Sequence, residues 1–129
     1  MPHPYEWVAL RVVPRVDRGE FVNAGVVLYC QRLEFLQARI APSLDRALAL
    51  DPSLDVLALA RHLEAVRRVC DGDPAGGDAS GRPAGERYRW LVAPRSTVVQ
   101  TSPVHTGLTA NPEEDLLRLF QCMVATGTG

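Results

Sequence analysis

Residues 6–29, EWVALRVVPRVDRGEFVNAGVVLY, decide the fold of this chain. Residues 6–13 and residues 21–29 are rich in aromatic and β-branched side chains, and a polar segment that contains Pro14 and Gly19 separates them. Runs of this composition, bounded by turn-forming residues, are typical of β-strands. The stretch therefore predicts a β-hairpin whose loop is longer than a tight two-residue turn.

Polar side chains concentrate around this hairpin loop. Arg11 interrupts an apolar strand, so it either faces solvent or reaches a buried carboxylate. Binding groups tend to collect on loops that a rigid scaffold holds, and guanidinium groups suit the bidentate recognition of anions. The candidate ligand-binding residues are therefore Arg11, Arg15, Arg18 and Asn23.

A simpler interpretation needs no ligand. Arg18 and Glu20 would form a solvated ion pair, Asn23 would hydrogen-bond a turn, and Gly25 would relieve a packing clash. Gly25 lies inside the second strand, where a glycine often marks a β-bulge or a close approach of two backbones. Both interpretations stay open at the level of sequence.

Two further segments predict strands. Residues 33–41 alternate loosely between polar and apolar side chains, which indicates a third antiparallel strand. Residues 96–102 predict another strand, and Pro103 fixes where its regular pairing stops. His105 would then lie in a loop that follows this strand.

Four segments predict helices. Residues 54–70 place apolar side chains three and four positions apart, which is typical of an amphipathic helix. Residues 44–50, with Ser43 as a candidate N-cap, and residues 86–93 predict shorter helices. The last helix has the clearest start, because Asn111 can cap it and a proline and two glutamates follow in its first turn.

Length and composition indicate one domain. The chain has 129 residues, of which 47% are hydrophobic, and this is enough to bury a core without disulfides or metal. Residues 71–85 are rich in glycine and proline and predict a flexible loop. We expect a single α+β domain over residues 1–129, a mostly antiparallel sheet with helices packed on one face, including the helices near Leu54 and Asp115.

No complete catalytic motif accompanies these elements. Glu20 and His105 are the candidates for proton transfer, and His105 could act as a general base if the fold brought it near Arg18 and Asn23. A structural role for His105 in a loop is the simpler interpretation, because one unpaired histidine is a weak signal of a site. The sequence therefore leaves open whether the protein is an enzyme.

The cysteines and histidines do not predict a metal site. Cys30, Cys70 and Cys122 are widely spaced in apolar or helical contexts, so we expect reduced thiols in the core. His3 and His62 have no metal-ligand partner at a recognisable spacing, and neither has His105. We expect no metal and no cofactor.

Charge and hydropathy restrict the partners. A net charge of −1 gives no overall attraction to nucleic acid or to an anionic membrane, and no stretch is long enough to span a bilayer. The first residues do not combine a basic start with a long apolar run, so we expect a cytoplasmic protein. An unpaired sheet edge would allow a homodimer.

Five motifs together resemble the bacterial Domain of Unknown Function 3037 family. They are residues 5–7 (YEW), 11–14 (RVVP), 18–26 (RGEFVNAGV), 102–103 (SP) and 111–114 (NPEE). The resemblance covers most of the chain outside the glycine-rich loop and brings no established chemistry to individual residues. It implies that members are often encoded beside a protein similar to the HipA serine/threonine kinases, which would be a partner, a regulator or a substrate.

Two functions therefore compete. The first is a non-catalytic interaction or regulatory module, in which the hairpin loop or a sheet edge binds a protein partner such as a HipA-like kinase. The second is a small phosphate- or nucleotide-binding enzyme, in which the arginines hold an anionic small molecule, Asn23 orients it, and Glu20 or His105 transfers a proton. Because the sequence lacks a nucleophile and a metal set, it favours the interaction module.

Overall fold

The computed structural model of the protein describes residues 2–93 and 98–125. In this part of the chain, five antiparallel strands form one sheet: β1 (His3–Val12), β2 (Val22–Cys30), β3 (Phe35–Ile40), β4 (Val99–Thr101) and β5 (His105–Thr109). Four helices accompany the sheet: α1 (Asp45–Leu50), α2 (Val56–Asp71), α3 (Ala84–Val92) and α4 (Pro112–Met123). These elements confirm the predicted α+β fold class with a mostly antiparallel sheet.

The sheet has the order β3-β2-β1, and two short strands share the remaining side of β1. β4 pairs with the C-terminal end of β1, where Val99 lies opposite Val12, and β5 pairs with its N-terminal end, where Thr109 lies opposite His3. The predicted hairpin and third strand are confirmed as β1, β2 and β3. Ser96 and Thr97, which the sequence assigns to the fourth strand, lie outside the described residues.

The hairpin contains a β-bulge at the predicted glycine. Leu10 lies opposite Gly25, but the next residue, Arg11, lies opposite Asn23, so β2 has one extra residue at this point. A Cβ atom on Gly25 would lie 2.8 Å from the carbonyl oxygen of Arg39 in β3. Both parts of the expectation for Gly25, a bulge and a close backbone approach, are confirmed.

Helices cover both faces of the sheet. Since side chains alternate along a strand, Val27 packs with α2 and α3 on one face, while Val26 and Leu28 pack with α4 on the other. The expectation that the helices near Leu54 and Asp115 share one face is therefore corrected. The physical reason is that β2 buries successive apolar residues on both faces, so each face needs its own helix.

Local signals set the helix boundaries. The Asp55 side chain accepts a hydrogen bond from the Ala58 N–H at the start of α2, and Gly72 ends this helix with φ of 71°. The Asn111 side chain accepts a hydrogen bond from the Glu114 N–H, which confirms the predicted N-cap of α4. At α1 the N-cap position is Leu44 and not Ser43, although the Ser43 hydroxyl accepts a hydrogen bond from the Asp45 N–H.

The glycine-rich segment, residues 71–85, contains two short 3₁₀ turns, Pro74–Gly76 and Asp78–Gly81. The Asp73 side chain accepts a hydrogen bond from the Ala75 N–H in the first turn, and Ala79 and Ser80 are buried. The segment therefore has local structure and two buried contacts with the domain. Its flexibility stays a prediction.

The expected loop at His105 is instead the beginning of β5, and this prediction was wrong. Between β4 and β5, the Ser102 N–H donates to the carbonyl of Ala9, and the Ser102 hydroxyl accepts a hydrogen bond of 2.8 Å from the Ala9 N–H. Pro103 ends the pairing of β4, as expected, but the chain returns to β1 two residues later. The short segment has no clear strand signal of its own. It forms a strand because β1, which is ten residues long, offers it backbone partners.

Candidate interaction site

An apolar cleft of about 310 Å³ lies beside the C-terminal end of α4, and we call it the α4-end cleft. The start of β2, the segment after β3 and helix α1 form its other walls. Apolar side chains dominate the lining, among them Val22, Ala24, Ala41, Leu44, Phe120 and Val124. A concave apolar cavity of this size is typical of sites that bind small molecules or single side chains of a partner.

Two polar side chains hold the end of α4 in the cleft wall. The Asn23 Nδ2 group donates to the carbonyl of Met123 at 3.1 Å, and the Arg46 Nη1 group donates to the carbonyl of Val124 at 2.9 Å. The last carbonyls of a helix have no partner within the helix, and a positive charge there opposes the negative end of the helix dipole. These contacts therefore fix the geometry of the cleft.

Asn23 leaves one hydrogen-bond acceptor unused. Its Oδ1 atom is buried, and no hydrogen-bond donor in the described part of the chain reaches it. Buried polar atoms usually have a partner, because leaving one unsatisfied costs about 1–3 kcal/mol. The bulge in β2 positions this amide, since the register shifts at Ala24, the residue directly after Asn23.

Arg11 occupies neither of its two predicted environments. Its guanidinium group lies over the ring of Phe21, 4.1 Å from the ring centroid, and its Nε atom is buried without a hydrogen-bond partner in the described residues. The side chain is half-buried rather than fully solvated. A cation–π contact, and not a buried carboxylate, therefore compensates the partial burial of Arg11.

Arg15 and Arg18 lie together in a separate depression of about 180 Å³. The Arg18 Nε group is 2.8 Å from the Glu20 Oε1 atom, and the two side chains are 59% and 46% exposed. Asp51 also lines this depression. A hydrogen bond from Ser53 lowers the pKa of the Asp51 carboxyl, and the positive charge of Arg15 lowers it further. Carboxylates therefore balance both arginines, and an exposed pair such as Arg18–Glu20 contributes at most about 1 kcal/mol to stability.

These predicted site residues thus lie in three separate places. Arg15, Arg18 and Glu20 share the polar depression, whereas Asn23 lines the α4-end cleft and Arg11 contacts Phe21. Their roles in binding an anionic ligand stay predictions.

His105 lies apart from these groups. It pairs with Trp7 and stacks on its ring with 4.5 Å between centroids, four residues along β1 from the Arg11–Asn23 pair. At about 3.3 Å per residue, this separation is about 13 Å. The proximity to Asn23 that a general base would need is absent from the described geometry, and the catalytic roles of Glu20 and His105 stay predictions.

The three cysteines occupy different environments. Cys30 and Cys70 are buried free thiols, as expected, but Cys122 is exposed on α4, so its assignment to the core was wrong. Burial raises the pKa of the Cys70 thiol to about 12. Because a thiolate is the reactive form, Cys70 is not an activated nucleophile.

The described residues offer neither a metal cluster nor a membrane-spanning helix. Within residues 2–93 and 98–125, no group of three or more His, Cys, Asp or Glu side chains could hold a metal ion. No helix in the same residues is long and apolar enough to cross a membrane.

Sequence reasoning identified Asn23 but missed the other walls of the cleft. Arg46, Phe120 and Val124 belong to elements that are distant from Asn23 in sequence, and no local pattern distinguishes them from ordinary helix residues. The available signal in the sequence was Gly25, because a glycine inside a strand indicated a departure from regular pairing close to Asn23.

The fold and the cleft define a small α+β domain with a helix-covered sheet and an apolar cleft. Residues 7–124 match the model of the family described as Protein of unknown function (DUF3037), and the chain belongs to this family. The family resemblance of the sequence motifs is thereby confirmed. No curated protein and no solved structure matches the chain significantly.

Proposed function

We propose that this chain is a non-catalytic interaction module of the bacterial cytoplasm, and that it binds a partner protein through the α4-end cleft. The observation that supports this most is the combination of an apolar cleft with a buried Asn23 Oδ1 atom that has no donor among the described residues. An apolar side chain of the partner would fill the cleft. A backbone N–H of the partner would donate to Asn23 after a small rotation of its amide.

The expected energetics fit a single anchoring side chain. Burying a side chain of the size of leucine or phenylalanine contributes about 1.5–3 kcal/mol. A donor for the Asn23 Oδ1 atom would remove the cost of an unsatisfied buried acceptor. Anchors of this kind, in pockets that exclude water, supply much of the binding energy of protein interfaces.

The proposed partner is a kinase similar to HipA. This part of the proposal draws on the family resemblance, which implies shared gene neighbourhoods, and on family membership. The chain would then act as a binding or regulatory subunit of the kinase. Its own sequence has no kinase motifs, such as a His-Arg-Asp stretch or an Asp-Phe-Gly stretch.

A reciprocal pull-down with the neighbouring kinase, followed by calorimetric titration, tests this proposal. The variant Ala41→Leu enlarges a side chain of the cleft wall and so fills part of the cleft. We therefore expect it to weaken binding by about tenfold or more, a change of about 1.4 kcal/mol. Ala60→Leu is the matched control, since Ala60 is exposed on α2 and lines neither of the cavities described above. It should bind as the wild type does.

Two results would contradict the proposal in different ways. If the wild-type protein captures no kinase and no kinase captures it, the proposed partner is wrong. If the kinase binds the wild type and a folded Ala41→Leu variant with equal affinity, the kinase is a partner but the cleft is not its binding site.

The second candidate function is the small phosphate- or nucleotide-binding enzyme. It draws on one observation, namely that Arg15 and Arg18 line the same polar depression. Glu20 and Asp51 line it too and offset the positive charge available to an anion. The interaction module therefore has the better support.

A further inference from the structure

The outer edge of β5 has no strand partner in the described chain. β5 pairs with β1 along one side only, and none of the other described strands lies along its second side. In an antiparallel strand, alternate N–H and C=O groups point outward along such an edge. These groups form a template for another strand.

The composition of β5 does not protect this edge. Proteins usually block an exposed edge with charged side chains, especially lysine, or with proline. Residues 105–109, His-Thr-Gly-Leu-Thr, include no lysine, arginine, aspartate or glutamate. By contrast, the other long edge of the sheet, β3, has the exposed charge of Arg39 one residue before its end, and helix α2 packs against it.

Exposed apolar side chains accompany the unprotected edge. Leu108 is 68% exposed and Val104, directly before β5, is 44% exposed. Leu108 lies opposite Pro4 on the β1 side, and no described strand lies on its outer side. A strand that paired with this edge would cover both side chains.

We propose that the occupant of this edge is a second copy of the chain. Two β5 strands would pair antiparallel about a two-fold axis at Gly107, the central residue of the strand, and join the two sheets into one. This register places Leu108 opposite Thr106 and Val104 opposite Ala110 of the other copy. Every one of these pairs is free of formal charge, so the edge is complementary to itself.

Gly107 suits the centre of this pairing. On the α4 side of the sheet the Tyr5 ring lies across it, since a Cβ atom on Gly107 would lie 2.7 Å from two carbons of that ring and from its hydroxyl oxygen. The ring is buried and its hydroxyl accepts a 3.4 Å hydrogen bond from Arg118 of α4, so it stabilises the strand without projecting beyond the edge. The proposal does not depend on the function of the α4-end cleft, because β5 contributes no residue to that cleft.

Sedimentation velocity of the full chain, from about 1 µM to about 1 mM, tests this inference. We expect a concentration-dependent dimer for the wild type. Leu108→Lys puts two like charges near the two-fold axis and should raise the dimer dissociation constant by about tenfold or more. Leu57→Lys is the matched control, because Leu57 is 69% exposed on α2, and it should leave the dimer unchanged.

Once circular dichroism shows that both variants fold, each outcome shows whether the chain dimerises through β5. Loss of the dimer in Leu108→Lys alone supports pairing through β5. A wild-type monomer over the whole concentration range overturns the inference, as does a dimer that survives in Leu108→Lys. Loss of the dimer in Leu57→Lys alone would also overturn it and would place the interface on α2.

Discussion

Gly25 helps to position Asn23, which lies two residues earlier in β2. Because Gly25 has no side chain, β2 approaches the backbone of β3 closely, and the bulge beside it shifts the register of the ladder. The shift places the Asn23 amide against the last turn of α4, where it binds the carbonyl of Met123. A backbone requirement at one residue thus positions the polar group of the cleft.

Gly25→Ala should destabilise the fold by about 1–3 kcal/mol, since the new methyl group would lie 2.8 Å from a backbone oxygen that cannot move freely. Urea denaturation measures the loss. Gly81→Ala is the control, because a Cβ atom there meets nothing within 4 Å, and it should stay within about 0.5 kcal/mol of the wild type. Equal effects of the two substitutions would show that β2 and β3 are not in close contact.

Cys70 should make stability fall at alkaline pH. Burial raises its pKa from 9.0 to about 12, so above pH 9 the unfolded chain loses a proton that the folded chain keeps. Stability from this group is complete below pH 9 and is lost as pH rises toward 12, by at most about 1.4 kcal/mol per pH unit.

Denaturation curves between pH 9 and pH 10 measure this slope below the range in which Tyr88, whose ordinary pKa is 10.0, would contribute strongly in the unfolded chain. Cys70→Ala should flatten the slope, whereas Cys122→Ala, at an exposed position, should leave it unchanged. An identical slope in both variants would mean that Cys70 is not buried as described.

At the scale of elements, the sequence predicted those helices and strands whose own residues carry a clear local signal. The amphipathic spacing of α2, the cap of α4 and the hairpin composition are each contained in a few neighbouring residues. β5 has no such signal, because its five residues follow a proline, include a glycine and do not alternate clearly. Its pairing comes from the full length of β1, which no local window contains.

Ser102 lies between β4 and β5 and holds this segment to β1 through a buried hydrogen bond with Ala9. Ser102→Ala leaves the Ala9 N–H without its side-chain acceptor and should cost about 1–3 kcal/mol. Ser43→Ala removes an exposed hydroxyl that also accepts from a backbone N–H, and solvent can replace that bond, so the loss should be smaller. Hydrogen exchange at Ala9 should accelerate only in Ser102→Ala, and an unchanged rate would contradict the role assigned to Ser102.

At the scale of the whole molecule, the fold class followed from the sequence and the packing did not. The run of apolar residues in β2 indicated a buried strand, but only three-dimensional packing assigns α2 to one face and α4 to the other. The candidate site shows the same limit. Asn23 was recognisable from its strand and its glycine, whereas the side chains that share its cleft come from α1 and α4.

A partner protein that occupies the α4-end cleft should perturb the Asn23 side chain, and the chain offers an internal control for this effect. Asn23 and Asn111 are its two asparagines, one in the cleft and one at the opposite end of α4. The most direct measurement is therefore a nitrogen–proton correlation spectrum of the labelled chain during titration with the HipA-like kinase. The account predicts that the side-chain amide signal of Asn23 shifts or broadens while that of Asn111 stays in place. Kinase binding that leaves the Asn23 signal unchanged would contradict it.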